Sequence, residues 1–262
     1  MTQDRQLGGR HAVVTGGGRG IGKAIAIGLA RHGADLTLMG RDLLSLEAHA
    51  TRIRSECQVK VEAVSADMSR PDSIRVAFEA AAERLGVVSV LVNNAGIAHA
   101  APILRTDLDK WNELIAVDLT APFLCIQQVL KPMTAAKFGR IVNVSSTAGL
   151  TGYAYVTAYC AAKHGLIGLT RALAMEVAKS GVTVNAVCPG YTDTDIVANT
   201  VSNIVSKTGR TPEQALSELL VHNPQGRIVT PEEVAEAVAW LCLPGSQSVT
   251  GQSIVVAGGE LM

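Results

Sequence analysis

His11-Ala-Val-Val-Thr-Gly-Gly-Gly-Arg-Gly-Ile-Gly22 is the stretch that decides how this chain folds. It reads in three parts. His11–Thr15 is a short apolar run of buried-strand type. Gly16, Gly17, Gly18, Gly20 and Gly22 follow at once. Ile21 to His32 then repeats apolar residues at helical spacing, with Ile21, Ile25 and Leu29 among Ala24, Ala26 and Ala30. Strand, glycine loop and helix make the opening of a dinucleotide-binding βαβ unit. Glycines let the backbone turn tightly and approach a pyrophosphate. The helix N-terminus adds free N–H groups and the positive end of a dipole. The spacing is T-G-x-x-x-G-x-G rather than G-x-G-x-x-G.

Outward from this stretch, strand and helix alternate. Ala34–Met39 is the second strand, closed by Gly40-Arg41-Asp42, and Leu43–Glu56 is an amphipathic helix. Val59–Val64 is the third strand, followed by Asp67-Met68. Pro71 suits a first helical position, and that helix continues to Leu85. Val87–Val92 is purely apolar, as a strand covered on both faces should be, and runs into Asn93-Asn94-Ala95-Gly96. Asp107 to about Met133 is helical, with Pro122 and Pro132 marking a kink and an end. Arg140–Val144 is the fifth strand, ending in Ser145-Ser146. Val156–Lys179 is a long helix. Val182–Val187 is the sixth strand, before Cys188-Pro189-Gly190. Residues 191–226 lose the rhythm and hold one short helical piece, Pro212–Val221. Pro231–Leu241 is helical, and Ile254–Val256 is a last strand before Gly258-Gly259.

Seven strands alternating with helices, with no linker, predict an α/β fold. It is one doubly wound parallel sheet, with helices on both faces, in a single domain over residues 1–262. Right-handed crossovers gather the loops after strands 1, 2, 4, 5 and 6 at one sheet edge, where ligands bind. The irregular connection 191–226 reads as a mobile substrate lid.

Composition sets bounds. Hydrophobic residues at 48% supply a sizeable core, and aromatics at 3% mean that Val, Ile, Leu and Ala must build it. Lys+Arg and Asp+Glu balance at 23 each, so no global field points to nucleic acid or an anionic membrane. Met1 to Arg10 is polar and carries no apolar signal region, and no apolar run approaches the roughly 18 residues of a membrane span. Five scattered cysteines without C-x-x-C read as reduced thiols of a cytoplasmic protein. The six histidines show no ligand spacing, so no metal is expected.

Tyr159 and Lys163 stand four residues apart in the long helix, on one face and one turn from each other. A free tyrosine titrates near 10, and a nearby ammonium favours the phenolate. Such a pair is a candidate general acid/base. Three of the four tyrosines, Tyr153, Tyr155 and Tyr159, fall in this one stretch.

Taken in order, Thr15-Gly-Gly-Gly-Arg-Gly-Ile-Gly22, Asn93-Asn-Ala-Gly96, Ser146, Tyr159-x-x-x-Lys163 and Pro189-Gly190 closely resemble the short-chain dehydrogenase/reductase family. The resemblance covers essentially the whole chain, through Thr250-Gly251-Gln252 and Gly258-Gly259. It is nearest to the branch of 3-oxoacyl carrier-protein reductases and related dehydrogenases. It implies a Rossmann fold and a role for each matching residue. Tyr159 would protonate the substrate oxygen. Lys163 would hold the nicotinamide ribose and lower the pKa of Tyr159. Ser146 would hydrogen-bond the carbonyl oxygen, with Ser145 the lesser candidate. Thr15, Gly16, Gly18, Arg19, Gly20, Ile21 and Gly22 would shape the diphosphate site, and Asp67 and Met68 would meet the adenine. Asn94, Ala95 and Gly96 would line the cofactor groove, and Pro189, Gly190, Thr192 and Thr194 would close over the nicotinamide. Leu150, Tyr153, Tyr155 and Tyr191 would wall the substrate pocket. The resemblance also implies a homotetramer. Consistent with that, the helix from Asp107 (Leu114, Ile115, Leu119, Phe123, Leu124) is apolar round most of its circumference.

One position departs from the family. Its fourth catalytic residue is an Asn in a run like x-V-N-L, and here the run is Ala116-Val117-Asp118-Leu119. A carboxylate can accept from a water but has no amide N–H to donate. The expected reaction is hydride transfer between NADP(H) and a carbonyl or secondary alcohol, such as a 3-oxoacyl thioester. NADP is favoured because Gly40 stands where an NAD site places an acid, while Arg41 and Arg19 can meet a 2′-phosphate. The alternatives are an NAD-dependent 3-hydroxyacyl or secondary-alcohol dehydrogenase, with Asp42 turned inward, and a dinucleotide-binding regulatory or scaffold protein without turnover.

Overall fold

The structure, a computed structural model, describes residues 5–261. Residues 1–4, part of the polar N-terminal stretch read above as lacking a signal, lie outside the described residues, as does Met262. Seven strands form one sheet: β1 (His11–Thr15), β2 (Asp35–Gly40), β3 (Val61–Ser65), β4 (Val88–Asn93), β5 (Gly139–Val144), β6 (Val182–Pro189) and β7 (Ser253–Val256). Their order is β3-β2-β1-β4-β5-β6-β7, and every pairing is parallel. The order reverses between β1 and β4, which opens a crevice at their carboxyl ends.

Strand alternation divides the core into two layers. Ala12 and Val14 point with Leu36 and Leu38 into one layer, which also buries Ile25, Leu29 and Val238. Val13 and Met39 point into the other, with Leu91, Phe78, Ile126 and Ile141. The first layer is covered by α1 (Gly20–Arg31), α2 (Leu43–Cys57) and α9 (Pro231–Cys242). The second is covered by α3 (Pro71–Leu85), α5 (Ala121–Ala135) and α6 (Thr157–Glu176). A sheet covered on both faces needs apolar residues at successive positions, which is why these strands read as continuous runs.

Two segments differ from the sequence expectation. The helix expected from Asp107 to Met133 is α4 (Leu108–Ile115), a π turn over Ala116–Thr120, and α5. Pro122 has no N–H to give the carbonyl of Asp118, four residues earlier, so the α-helical ladder cannot run unbroken there. Residues 191–226 hold two helices, α7 (Asp195–Thr208) and α8 (Pro212–Leu219), where one was expected. An isolated bridge between Thr192 and Val229 pins the two ends of that excursion together.

The helical run Leu108–Ala135 also corrects the statement on membrane spans. By length and composition it is long and apolar enough to cross a membrane. In the fold its Ala121, Cys125, Ile126, Val129 and Met133 are buried against the sheet, while Phe123 is exposed.

Candidate active site

The glycine loop is built by interlocking contacts. Gly16 (φ +66°) and Gly20 (φ +49°) hold backbone conformations that favour glycine. A Cβ on Gly22 would lie 2.2 Å from the Gly16 carbonyl oxygen and 2.4 Å from Asn94 Nδ2. Asn94 Nδ2 donates to the carbonyls of Thr15 (2.9 Å) and Gly16 (3.3 Å). The N–H groups of Asn94 and Ala95 both donate to Thr15 Oγ1, at 3.0 Å each. Thr15, Asn94 and Ala95 therefore brace the loop across the β1–β4 crevice.

The N-terminus of α1 is left uncapped. Arg19 occupies the cap position with an extended backbone and no side-chain hydrogen bond to the helix; α3, α6 and α7 likewise lack a side-chain cap, whereas Asp42, Asp107, Thr211 and Thr230 cap their own helices. An uncapped first turn beside a bare glycine loop suits an anionic group such as a diphosphate. Gly18 lies under Ser45 and Leu46 of α2, and Gly20 lies under the Thr194 methyl. Ile21 is partly buried against the first core layer.

At the end of β2, Arg41 is exposed, and Asp42 does not turn inward: its carboxylate accepts from the Ser45 N–H at 3.1 Å. Arg19 pairs with Asp195 of α7 at 3.3 Å, both largely exposed. Asp67 accepts at Oδ1 from the Ser69 N–H and hydroxyl, and these bonds hold it below the usual carboxylate range. Met68 is buried. The Arg41 charge adds a smaller lowering of Asp67.

The candidate reactive groups, Ser146, Tyr159 and Lys163, sit after β5 and on α6. Ser145 donates to the Lys163 carbonyl (3.2 Å), a structural bond within the core. Ser146 opens a short 3-10 turn, its Oγ accepting from the Ala148 N–H at 3.1 Å and its hydroxyl proton free to face Tyr159. Lys163 is buried. Its Nζ donates to the Val144 carbonyl (3.1 Å), lies 3.4 Å from Asp118 Oδ1 and lies 5.6 Å from the centre of the Tyr159 ring. Asp118 stands in the π turn, fully buried, with Oδ1 also accepting from the Ile97 N–H at 3.2 Å. Asp118 Oδ2 is buried with no hydrogen-bond partner among the described residues. A Cβ on Gly96 would come within 2.6 Å of Asp118 Oδ1, so Gly96 gives the carboxylate its room.

Charge follows from these contacts. Burial works against the Lys163 ammonium, but Asp118 and Tyr159 outweigh it and hold Lys163 above the ordinary lysine value. Burial also pushes Asp118 above the usual carboxylate range, with Lys163 opposing. Tyr159 is held above the ordinary tyrosine value: burial raises it most, Lys163 lowers it, and Asp118 raises it again. The expected lowering of Tyr159 by Lys163 is therefore present but does not prevail.

Pro189 and Gly190 close the same end of the sheet, with the Gly190 N–H donating to the Val256 carbonyl at 3.1 Å. Thr192 is buried and donates to the Gly190 carbonyl at 3.0 Å, and Thr194 donates to the Thr192 carbonyl at 3.2 Å. Of the expected substrate wall, Leu150 packs beside Ile167, Ala186 and Cys188, and Tyr153 and Tyr191 are partly buried nearby. Tyr155 differs. It is 65% exposed with φ +67°, and its carbonyl accepts from the Ala101 N–H at 2.8 Å, so its backbone ties down the 97–101 loop at the rim.

Two features are absent from the sequence reading. A buried ladder runs from Asn93 Nδ2 to Asn143 Oδ1 (2.8 Å) and from Asn143 Nδ2 to Thr170 Oγ1 (2.9 Å), fastening α6 to β4 and β5. Glu260 reaches back from the chain end to the Tyr153 hydroxyl. Gly258-Gly259 just before it was the only local signal.

Residues 10–204 match the family model described as short chain dehydrogenase. The chain is 39% identical to a 3-oxoacyl-[acyl-carrier-protein] reductase of Aquifex aeolicus, over 97% of this chain and 98% of that one. It is 36% identical to a D-beta-hydroxybutyrate dehydrogenase of Rhizobium meliloti, over 95% and 98%. Among solved structures, an actinorhodin polyketide ketoreductase crystallised with NADPH superposes with a TM-score of 0.92 at 36% identity, covering 97% of this chain and 98% of that one.

Proposed function

Because the chain belongs to the short-chain dehydrogenase family, we propose that it is an NADPH-dependent carbonyl reductase acting on a 3-oxoacyl thioester or a similar ketone. The observation that carries this reading is the grouping of Ser146, Tyr159 and Lys163 at the sheet edge beside an uncapped, glycine-lined helix N-terminus. The relative named as a 3-oxoacyl-[acyl-carrier-protein] reductase and the ketoreductase crystallised with NADPH support both substrate class and cofactor.

Gly16, Gly18, Gly20, Ile21 and Gly22 would hold the diphosphate at the start of α1. Asp67 and Met68 would flank the adenine, and Arg41 with Arg19 would meet a 2′-phosphate. The engagement of Asp42 as a helix cap supports this choice, because it keeps that carboxylate out of the ribose position. Nicotinamide, when bound, supplies the hydride. The protein's part is to bind, orient and protonate. The Ser146 and Tyr159 hydroxyls donate to the substrate oxygen, where negative charge develops. Tyr159 gives up its proton. A phenol held above its ordinary value stays protonated at neutral pH, which suits reduction. Lys163 would hold the ribose hydroxyls, and Asp118 keeps the Lys163 ammonium charged.

The protein acts as one domain, with residues 191–226 as a substrate lid hinged near Gly190 and Gly226. It assembles as a homotetramer through α5 and α6, where Phe123 and Met175 are exposed. The five free cysteines fit a cytoplasmic setting. A second reading, a dehydrogenase acting on a hydroxy acid, is favoured by the Rhizobium relative's name. The test is kcat/KM for a panel of ketones and 3-oxo esters with NADPH and NADH. Activity on 3-oxo esters with at least tenfold preference for NADPH is expected. Oxidation of hydroxy acids with NAD⁺, with no reduction of the 3-oxo esters by NADPH, would overturn the proposal.

A further inference from the structure

The reading above leaves two substrate classes in play, an uncharged 3-oxo ester and a free acid, and Glu260 separates them. Gly258 and Gly259, both at positive φ, directly precede Glu260, whose carboxylate meets the Tyr153 hydroxyl. Asn223 and Pro224, the return leg of the 191–226 excursion, pack against these two glycines. Tyr153 donates its hydroxyl proton to Glu260 Oε1. The same phenol oxygen lies 2.9 Å from Thr147 Oγ1, and a phenol has one proton, so the Thr147 hydroxyl donates to Tyr153. Thr147 directly follows Ser146, so this chain of bonds ends one residue from a substrate-binding hydroxyl. On the other side, Glu260 Oε2 lies 2.7 Å from where a Cβ on Gly190 would stand. Oε2 has no hydrogen-bond partner among the described residues, and the charge of Glu260 acts on both Tyr153 and Tyr191.

We infer that Glu260 is a specificity-determining residue that disfavours carbonyl substrates carrying a carboxylate and admits uncharged ones. The inference rests on the proposed carbonyl reduction and names its substrate class. Two like charges in a partly desolvated pocket repel more strongly than in water. Lys163 cannot supply the compensation, because it is already paired with Asp118. The free Oε2 remains as an acceptor for a hydroxyl or amide N–H on an uncharged substrate.

The test compares ethyl acetoacetate with acetoacetate, which share the reacting carbonyl and differ in the charge. Dissociation constants are measured by calorimetry on NADP-loaded full-length protein, for wild type and Glu260→Gln, alongside NADPH oxidation with each ketone. The Gln variant keeps the size of the side chain and an acceptor for Tyr153. Wild type should favour the ester in binding, and Glu260→Gln should lower the ester-to-acid ratio at least tenfold. A change in that ratio of less than threefold overturns the inference. If the binding ratio shifts as expected while neither ketone is turned over, the inference stands and the proposed reduction falls.

Discussion

Lys163 Nζ and Asp118 Oδ1 lie 3.4 Å apart, and both groups are buried. This pair replaces the amide found at the Asp118 position in the family pattern. Its second oxygen is buried without a partner, so Asp118 contributes charge more than hydrogen bonding. Removing one member of a buried pair strands the other. We predict that Asp118→Ala destabilises the protein by about 3 kcal/mol or more. A melting temperature within 2 °C of wild type, by the rough scale of 2–4 °C per kcal/mol, would refute the pairing.

The same charge fixes the pH profile. As the proposed proton donor, Tyr159 has to be protonated in reduction, and it is held above its ordinary value by burial and by Asp118. Reductive kcat/KM should therefore stay level through neutral pH and fall only as the alkaline range protonates Tyr159 less. Asp118→Asn removes a negative charge that raises Tyr159, so the fall should begin at lower pH. A profile that moves to higher pH, or does not move, is the contrary result.

Gly22→Ala should abolish nucleotide binding. The added Cβ would lie 2.2 Å from the Gly16 carbonyl oxygen, which is backbone and cannot swing aside. Overpacking of this kind costs about 1–3 kcal/mol or more. Calorimetric titration with NADPH should show no binding. Wild-type affinity in the variant would mean that the loop is not built as described.

Arg41→Ala should reduce the NADPH-to-NADH ratio of kcat/KM about tenfold or more, since hydrogen bonds to charged groups contribute about 1.5–3 kcal/mol. Arg19 should matter less, because it is paired with Asp195. An unchanged ratio in Arg41→Ala would remove the structural basis for the NADP preference.

Asn143→Leu should cost about 2 kcal/mol or more by stranding Asn93 Nδ2 and one side of Thr170. Because α6 carries Tyr159 and Lys163, kcat should fall along with thermal stability. A variant with native stability would show that the ladder does not fasten α6.

Much of this was legible in the chain. The glycines of 16–22 are local necessities of a tight loop, and Tyr159 and Lys163 share a helix face by spacing alone. What was not legible depends on neighbours in space. The Asn93–Asn143–Thr170 ladder requires the register of β4 against β5. The capping of α2 by Asp42 could be told from an inward turn only with the backbone in place. Helix α7 was missed because Ile196, Val197, Thr200, Val201, Ile204 and Val205 are β-branched and helix-averse, and tertiary packing of Val197 overrides that preference. Glu260 is a single acid near the chain end, with no periodicity to mark it. The net raising of Tyr159 was hidden for the same reason: burial is a property of the fold, not of the Tyr-x-x-x-Lys spacing.

The most direct measurement is NADPH oxidation with ethyl acetoacetate by wild type and Tyr159→Phe, paired with NADPH affinity for both. Proton transfer by a positioned group typically contributes about 10²–10⁴ in rate. Wild type should turn over, and the Phe variant should lose at least a hundredfold in kcat while binding NADPH within about threefold of wild type. A variant that keeps more than a tenth of wild-type kcat, a loss below about 1.4 kcal/mol, would contradict the role of Tyr159 as proton donor.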